Sequence, residues 1–262
     1  MIDAVDVDGC RIAYEVTGRA DEPALVLTHS IGADRSMWSP QIEVLAGKYR
    51  IVAVDSRGHG RSDSPPGPYR LEALAGDILA AAEAAGLGRF HLAGLSMGGQ
   101  IALWVAAYRP ELLLSVTAAN TAARIADEDF WNARIEAVRN GGMAAIRETV
   151  LARFFSPGFR AAHPDWYGRS EEVLLATDPE GYAGCCAALA ASDLGDVVRS
   201  IGVSTLLIGG ELDVATAPAG MERLHTAIPG SRFRVLEGAA HISNLDRPEV
   251  FTEELGGFLE TV

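Results

Sequence analysis

The sequence predicts an α/β fold, with a mostly parallel central sheet, helices on both faces and an inserted helical cap. Short apolar runs alternate with helical patterns over most of the chain, which is typical of parallel strands joined by crossover helices. One long stretch interrupts this alternation and shows helical patterns alone. The chain has 262 residues, which suits one core domain that carries an insertion.

The predicted strands are apolar runs, and several are nearly continuous, as expected for strands covered on both faces. They span residues 11–16, 24–29, 51–55, 90–94, 115–120, 204–209 and 232–237. Helices are predicted at residues 38–48, 71–85, 97–108, 217–228 and 248–259, each ending near a glycine or proline. We therefore expect a core of residues 1–120 and 204–262, with a helical cap of residues 121–203 inserted between two core strands.

The charge balance and the cysteines limit the partners and the location. Acidic residues outnumber basic ones by 35 to 22, and the formal net charge of −13 disfavours nucleic acid or an acidic membrane as a partner. No apolar run approaches the ~20 residues that span a bilayer, and the N-terminus lacks a signal core. Cys10, Cys185 and Cys186 form no disulfide framework, so we expect a cytoplasmic protein, with the adjacent pair in buried packing. The sequence leaves a homo-oligomer open.

The strongest local signal is the run Gly-Leu-Ser-Met-Gly-Gly at residues 94–99. It follows a predicted strand and opens a predicted helix, which is the context of a nucleophile elbow. A serine on so sharp a turn is strained, and the flanking glycines let strand and helix approach closely. The helix N-terminus favours developing negative charge. The motif therefore predicts Ser96 as a nucleophile.

A serine nucleophile needs a base, and the base needs a carboxylate that fixes its tautomer. Among the six histidines, His241 follows the last predicted strand, in a loop of small residues that can reach the elbow. Asp213 follows the strand predicted at 204–209, with Glu211 as its competitor. We favour Asp213, because it lies further from the strand end, where its side chain can turn back under His241. The chain order serine, aspartate, histidine is the order expected after such an elbow.

Two backbone N–H groups are expected to form an oxyanion hole. One belongs to Met97, directly after the nucleophile, and the other to Ile31, in the loop after the strand predicted at 24–29. The glycine-rich segment 55–62 lacks the spacing of a phosphate loop and is predicted to be structural. No histidine–carboxylate cluster has zinc spacing, so we expect neither a metal nor a cofactor.

These residues resemble the 3-oxoadipate enol-lactonases of the α/β-hydrolase superfamily. Residues 29–34 with 37–38, residues 55–62 and residues 94–99 carry motifs that many hydrolases share. More particular to the group are residues 120–123 and, in the cap, residues 141–144, 175–177, 180–182 and 185–189. Residues 240–244 with 247–249 complete a resemblance that covers nearly the whole chain. Two departures are Ile31, where leucine is usual, and the atypical run 210–216.

The resemblance implies that the chain opens 3-oxoadipate enol-lactone to 3-oxoadipate through an acyl-enzyme, in the β-ketoadipate pathway of aromatic catabolism. Such a small anionic substrate needs a cation. Arg134 with Trp131 in the cap is the leading candidate, Arg124 and Arg153 are rivals, and a solvated helix face is the alternative. Other functions stay open: a general carboxylesterase or lactonase, a cofactor-free perhydrolase and, least favoured, a ligand receptor without turnover.

Overall fold

A computed structural model describes residues 2–262 and contains one eight-stranded sheet of order β1-β2-β4-β3-β5-β6-β7-β8. The strands are β1 (Ile2–Val7), β2 (Cys10–Thr17), β3 (Ala24–Thr28), β4 (Arg50–Val54), β5 (Phe90–Leu95), β6 (Leu113–Ala119), β7 (Ser204–Gly210) and β8 (Arg232–Leu236). Strands β3 to β8 run parallel, whereas β1 and β2 pair antiparallel with their neighbours. The predicted α/β class with a mostly parallel sheet is confirmed.

Strand β1 was not among the predicted strands. It forms a hairpin with β2 in which Val7 pairs with Cys10 across a two-residue loop. Asp8 and Gly9 of this loop have φ values of 53° and 81°, as a tight hairpin turn requires. Half of the residues in β1 are exposed and the others only partly buried, and two of them are aspartates, so β1 lacks the apolar run by which the other strands were predicted.

The six parallel strands bring the segments that follow them to one edge of the sheet. Strand β3 is buried along its whole length, and β5 likewise, because helices cover both faces. Because β3 to β8 all point the same way, the segments that follow them emerge together at their carboxyl ends. That edge therefore collects the loop after β3, the Ser96 turn and the loops that carry Asp213 and His241.

The core helices are α1 (Ser39–Leu45), α2 (Leu71–Ala84), α3 (Met97–Tyr108), α9 (Pro218–Ala227), α10 (Ser243–Asp246) and α11 (Pro248–Leu259). Helix α3 packs on β5 and β6 and against α2, while α1 packs against α11. Within residues 2–262, no helix combines the length and the apolar character needed to cross a membrane.

Between β6 and β7 the described chain is helical and contains no strand. Its helices are α4 (Glu128–Gly141), α5 (Arg147–Phe154), α6 (Phe159–Ala162), α7 (Pro164–Ala176) and α8 (Pro179–Ala190). Helix α4 packs along α8, and Cys185 and Cys186 are fully buried in α8, in line with a packing role. That residues 121–203 form a separate cap domain stays a prediction.

Helix α8 contacts the core loop after β4 backbone to backbone. A Cβ atom on Gly181 would lie 2.5 Å from the Cα of Gly58, and one on Gly58 would lie 2.7 Å from the carbonyl carbon of Gly181. Next to this contact, the Tyr69 N–H donates to the Gly184 carbonyl at 3.2 Å. Both glycines are therefore required by close approach, and α8 is held directly on the core.

Candidate active site

Ser96 occupies the turn between β5 and α3, with φ 60° and ψ −114°, a conformation that non-glycine residues rarely adopt. Two hydrogen bonds at the end of β6 hold it there: the Ser96 N–H donates to the Ala119 carbonyl, and the Thr121 hydroxyl donates to the Ser96 carbonyl, both at 2.8 Å. A Cβ atom on Gly98 would lie 2.4 Å from the Thr28 carbonyl oxygen, so the turn needs glycine there. The predicted elbow therefore has the expected geometry.

The three side chains predicted for catalysis are connected by two hydrogen bonds. Ser96 Oγ is 2.9 Å from His241 Nε2, and His241 Nδ1 is 2.9 Å from Asp213 Oδ2. All three residues are buried. With its Nδ1 proton donated to the carboxylate, the imidazole presents Nε2 as the acceptor for the serine proton. This arrangement can activate a serine hydroxyl for attack on a carbonyl.

Asp213 is held by donors on both of its carboxylate oxygens. The Thr216 hydroxyl (2.7 Å) and Asn120 Nδ2 (2.9 Å) donate to Oδ2, and the N–H groups of Ala215 (2.8 Å) and Thr216 (3.0 Å) donate to Oδ1. Burial acts to raise the pKa of Asp213, but the charge of His241 and the hydrogen bonds from His241, Asn120 and Thr216 outweigh it and hold that pKa well below its usual value. Asp213 is therefore ionised and suited to stabilise an imidazolium.

Glu211, the competing acid, has a different partner. Its carboxylate accepts the Gly238 N–H at 2.8 Å, at the turn after β8, and Glu211 itself is exposed. The geometry thus pairs His241 with Asp213 and assigns Glu211 to bracing the loop that leads to the histidine.

The two N–H groups predicted for the oxyanion hole lie on segments that are hydrogen-bonded to each other. The Gly98 N–H donates to the His29 carbonyl at 3.1 Å, which joins the loop after β3 to the N-terminus of α3. Within residues 2–262, neither the Ile31 N–H nor the Met97 N–H has a protein acceptor. Both donors are therefore available to a ligand beside Ser96.

Two buried histidines outside the predicted triad, His29 and His59, support the oxyanion loop. His29 Nε2 accepts the Ser56 N–H, and His59 Nε2 accepts the Gly32 N–H, each at 2.9 Å. Burial, together with the charge of His29, lowers the pKa of His59 to about 3, so this ring is neutral and able to accept. The segment 55–62 thus has a structural function next to the site.

A cavity of about 230 Å³ lies over Ser96 and His241. Its other walls are mostly apolar and aromatic, from Ile125, Phe130, Trp131, Val150, Phe154 and Tyr182, with Arg134 and Arg153 as its charged members. A larger groove of about 630 Å³ between α1 and α11 contains none of the predicted site residues. The small cavity is therefore where the chemistry of the triad can act.

Arg134 and Arg153 converge on Phe130 from two different helices. Each guanidinium carbon lies 5.0 Å from the centre of the Phe130 ring. Arg134 donates to the Tyr182 hydroxyl at 3.1 Å, and among the described residues neither arginine has a carboxylate partner within 4 Å. Burial and then the nearby charge of Arg134 lower the pKa of Arg153. The cavity wall therefore carries uncompensated positive charge that an anion would neutralise.

The other predicted substrate contacts have different outcomes. Trp131 lines the cavity, but its indole N–H is already donated to the Ile125 carbonyl, so only its ring is available to a ligand. Arg124 is exposed and does not line the cavity, while its rival Arg153 does.

Among residues 2–262, no three or more His, Cys, Asp or Glu side chains are grouped to hold a metal ion.

Residues 23–248 match the family of the alpha/beta hydrolase fold. The 3-oxoadipate enol-lactonase 2 of Acinetobacter baylyi is 37% identical over 95% of this chain and 93% of its own length. The chain belongs to the 3-oxoadipate enol-lactonase family. A second member of the family, 3-oxoadipate enol-lactonase 1 of Acinetobacter baylyi, is 36% identical over 97% of this chain and 95% of its own length.

Solved structures agree with this family. The enol-lactonase from Burkholderia xenovorans LB400 superimposes with a TM-score of 0.96 at 37% identity, over 98% of this chain and 100% of that one. A thermophilic esterase from Thermogutta terrifontis superimposes with a TM-score of 0.92 at 29% identity, over 99% and 97% of the two chains. The enol-lactonase family member described here is thus a hydrolase, and the predicted superfamily is confirmed.

Proposed function

We propose that this enzyme hydrolyses 3-oxoadipate enol-lactone to 3-oxoadipate, with Ser96 as nucleophile, His241 as general base and Asp213 as its orienting carboxylate. One observation carries the proposal: Ser96 and His241, which are hydrogen-bonded to each other, line the same cavity of about 230 Å³ as two arginines that have no carboxylate partner in the described part of the chain. A small lactone with a carboxymethyl arm needs both features. The relatives named as enol-lactonases, at 36% and 37% identity over most of the chain, support this substrate.

The first half-reaction acylates the serine. Ser96 Oγ attacks the lactone carbonyl carbon while its proton passes to His241 Nε2. The negative charge that develops on the carbonyl oxygen is stabilised by the N–H groups of Ile31 and Met97. When the tetrahedral intermediate collapses, the ring C–O bond breaks and an enolate leaves, still tethered to the acyl group. It takes the proton from His241 and becomes the ketone.

The second half-reaction releases the acid. Water loses a proton to His241 as its oxygen attacks the acyl carbon, and the protonated imidazole then returns that proton to Ser96 Oγ. Asp213, whose carboxylate carries the negative charge, stabilises the imidazolium in both steps. The product has gained a second carboxylate, so the protein's net charge of −13 favours its departure.

The substrate carboxylate is held by Arg134 and Arg153 in this proposal, with the ring of Trp131 as an apolar wall. The unpaired guanidiniums, both half-buried beside Phe130, support it. A guanidinium in a partly dry cavity binds a carboxylate through charge-assisted hydrogen bonds. Because these bonds act at short range, they outweigh the repulsion between the substrate and the acidic surface.

We also place the enzyme in the cytoplasm, which its three unpaired, buried cysteines support.

Replacement of Ser96 by alanine tests the mechanism. The enol-lactone is the substrate, and circular dichroism verifies that the variant is folded. Loss of the nucleophile should lower kcat by on the order of 10⁴–10⁶. Near wild-type turnover by Ser96→Ala would exclude the acyl-enzyme route.

A general carboxylesterase is the second candidate, favoured by the esterase from Thermogutta terrifontis with its TM-score of 0.92. A panel that contains the enol-lactone, neutral lactones and nitrophenyl esters separates the two functions. The proposed function requires the highest kcat/KM on the carboxylate-bearing lactone. Equal kcat/KM values over the panel would favour the esterase.

A further inference from the structure

Asp246, at the end of α10, is a buried carboxylate with no cationic partner among the described residues. Its oxygens instead accept three hydrogen bonds. The Ala240 N–H (2.7 Å) and the Ser156 N–H (2.9 Å) donate to Oδ2, and the Ser156 hydroxyl (2.8 Å) donates to Oδ1. Burying a carboxylate is costly unless its oxygens accept hydrogen bonds. The three donors are therefore what stabilises Asp246 in its buried position.

The donors come from two segments that flank the site. Ala240 directly precedes His241, and Ser156 lies in the chain that leaves α5. The same two segments meet again on the other side of the histidine, where the Ile242 N–H donates to the Phe154 carbonyl at 2.8 Å. The backbone N–H groups on both sides of His241 are thus connected to residues 154–156. The Ile242 N–H is bonded directly to Phe154, and the Ala240 N–H is linked to Ser156 through the Asp246 carboxylate.

Residues 154–156 also contact the imidazole of His241, through the ring of Phe154. The Phe154 ring lies nearly parallel to the His241 ring, with centroids 6.2 Å apart, and Phe154 lines the catalytic cavity. In the core, Asn120, directly after β6, donates from Nδ2 to the Ala240 carbonyl at 3.2 Å. The loop of the histidine is therefore held between the core and residues 154–156, and Asp246 and the Ile242 N–H make its bonds to residues 154–156.

We propose that Asp246 is a positioning residue: it fastens the loop of His241 to residues 154–156, so that the imidazole is aligned only while that segment is seated. The inference deepens the proposed function and rests on His241 as its general base. The imidazole must bond Ser96 and Asp213 at once, each at 2.9 Å, so a small shift of the loop breaks one contact. Misplacement by ~1 Å is enough to cost about 100-fold in rate.

Two substitutions of Asp246 separate positioning from simple packing. Asp246→Ala removes all three hydrogen bonds and should lower kcat by about 10- to 100-fold. Asp246→Asn keeps the pattern, because its amide oxygen can accept both N–H groups while its amide nitrogen donates to the Ser156 hydroxyl. It should therefore restore most of the activity. Ser156→Ala removes one bond and leaves both backbone donors in place, so it should lose far less than Asp246→Ala.

The assay uses nitrophenyl acetate, which needs the triad but not the lactone-binding arginines. An enzyme that is inactive on the enol-lactone would contradict only the proposed substrate, and the Asp246 variants could still be compared on nitrophenyl acetate. Rates are divided by the active sites counted in the acylation burst, so unfolded protein does not contribute. The proton between His241 and Asp213 gives a low-field NMR resonance, which should weaken in Asp246→Ala and persist in Asp246→Asn.

The overturning result is Asp246→Ala with a lower Tm but with wild-type kcat per titrated site and an unchanged low-field resonance. If Asp246→Ala does not fold, Asp246→Ser takes its place, since the short hydroxyl keeps a polar atom in the buried site but cannot serve both segments. The same loss of kcat and of the resonance supports the inference, and wild-type values for both overturn it.

Discussion

Replacement of Arg153 by glutamine should weaken productive binding of the enol-lactone far more than it affects a neutral ester. Arg153 lines the catalytic cavity, and within residues 2–262 none of its guanidinium N–H groups is hydrogen-bonded to another protein group. Burial, and then the nearby charge of Arg134, lower the pKa of Arg153. A bound carboxylate would satisfy both guanidiniums.

The size of the effect follows from the contact that is lost. A hydrogen bond to a charged group contributes about 1.5–3 kcal/mol, which corresponds to about a 10- to 100-fold rise in KM. Arg153 is only half-buried, so water screens part of the interaction and the lower end of this range applies. Arg134→Gln should show a similar rise, although this variant also loses the hydrogen bond to the Tyr182 hydroxyl.

The assay compares initial rates on the enol-lactone, followed by its ultraviolet absorbance, with rates on nitrophenyl acetate. Arg124→Gln is the matched control, because it makes the same change in net charge at an exposed position outside the cavity. It should leave both KM values unchanged. Equal losses by Arg153→Gln on the charged and the neutral substrate would refute the reasoning and make Arg153 a packing residue. No loss on either would mean that the carboxylate binds elsewhere.

Three further predictions concern the acid and the elbow. Asp213→Asn should stay folded but lose on the order of 10⁴ in kcat, because it no longer selects the tautomer of His241, and steady-state kinetics measures this. The folded-state pKa of Asp213 lies below the unfolded value of about 3.9, so its stabilising contribution is complete above that value and is lost as pH falls through the folded-state pKa. In urea titrations, wild type should therefore lose more free energy of unfolding below about pH 4 than Asp213→Asn. Gly98→Ala should cost about 1–3 kcal/mol or more in unfolding free energy, because its Cβ would lie 2.4 Å from the Thr28 carbonyl oxygen.

Each of these predictions has a control on the same chain. Glu211→Gln should remain active, and the reverse result, with Asp213→Asn active and Glu211→Gln inactive, would transfer the acid role to Glu211. Parallel pH curves for wild type and Asp213→Asn would contradict the pKa argument. Gly76→Ala is the control for the elbow, since a Cβ there meets nothing within 4 Å and alanine favours helix α2. A Gly98→Ala variant as stable as Gly76→Ala would disprove the steric account.

The features that the sequence predicts correctly are those that depend on a local pattern of residues. Buried parallel strands are apolar runs, and the positions of Ser96, Asp213 and His241 follow from which strand each one succeeds. Strand β1 was missed because its edge position leaves it half exposed and interrupted by aspartates, although Asp8 and Gly9 offered a hairpin signal.

The residues that were missed act through distant contacts. Asn120 donates to Asp213 across 93 positions, and Ser156 to Asp246 across 90, so no local pattern links them. Arg134 was favoured over Arg153, and no local pattern could show that both line the cavity, because they belong to different helices that meet only in the folded chain, at Phe130. Thr216 alone had a local signal: three positions after Asp213, it can cap that carboxylate with both its N–H and its hydroxyl.

The glycine contact between α8 and the core limits how the enzyme can acquire new substrates. Any side chain at Gly181 or Gly58 would lift α8 from the core and take the cavity wall formed by Tyr182 with it. Among the described residues, the walls contributed by α4 and α5 contain no glycine in such close contact with the backbone of the core, and they carry both arginines. Libraries built for altered acyl specificity should therefore diversify α4 and α5 and keep the glycines of α8 fixed.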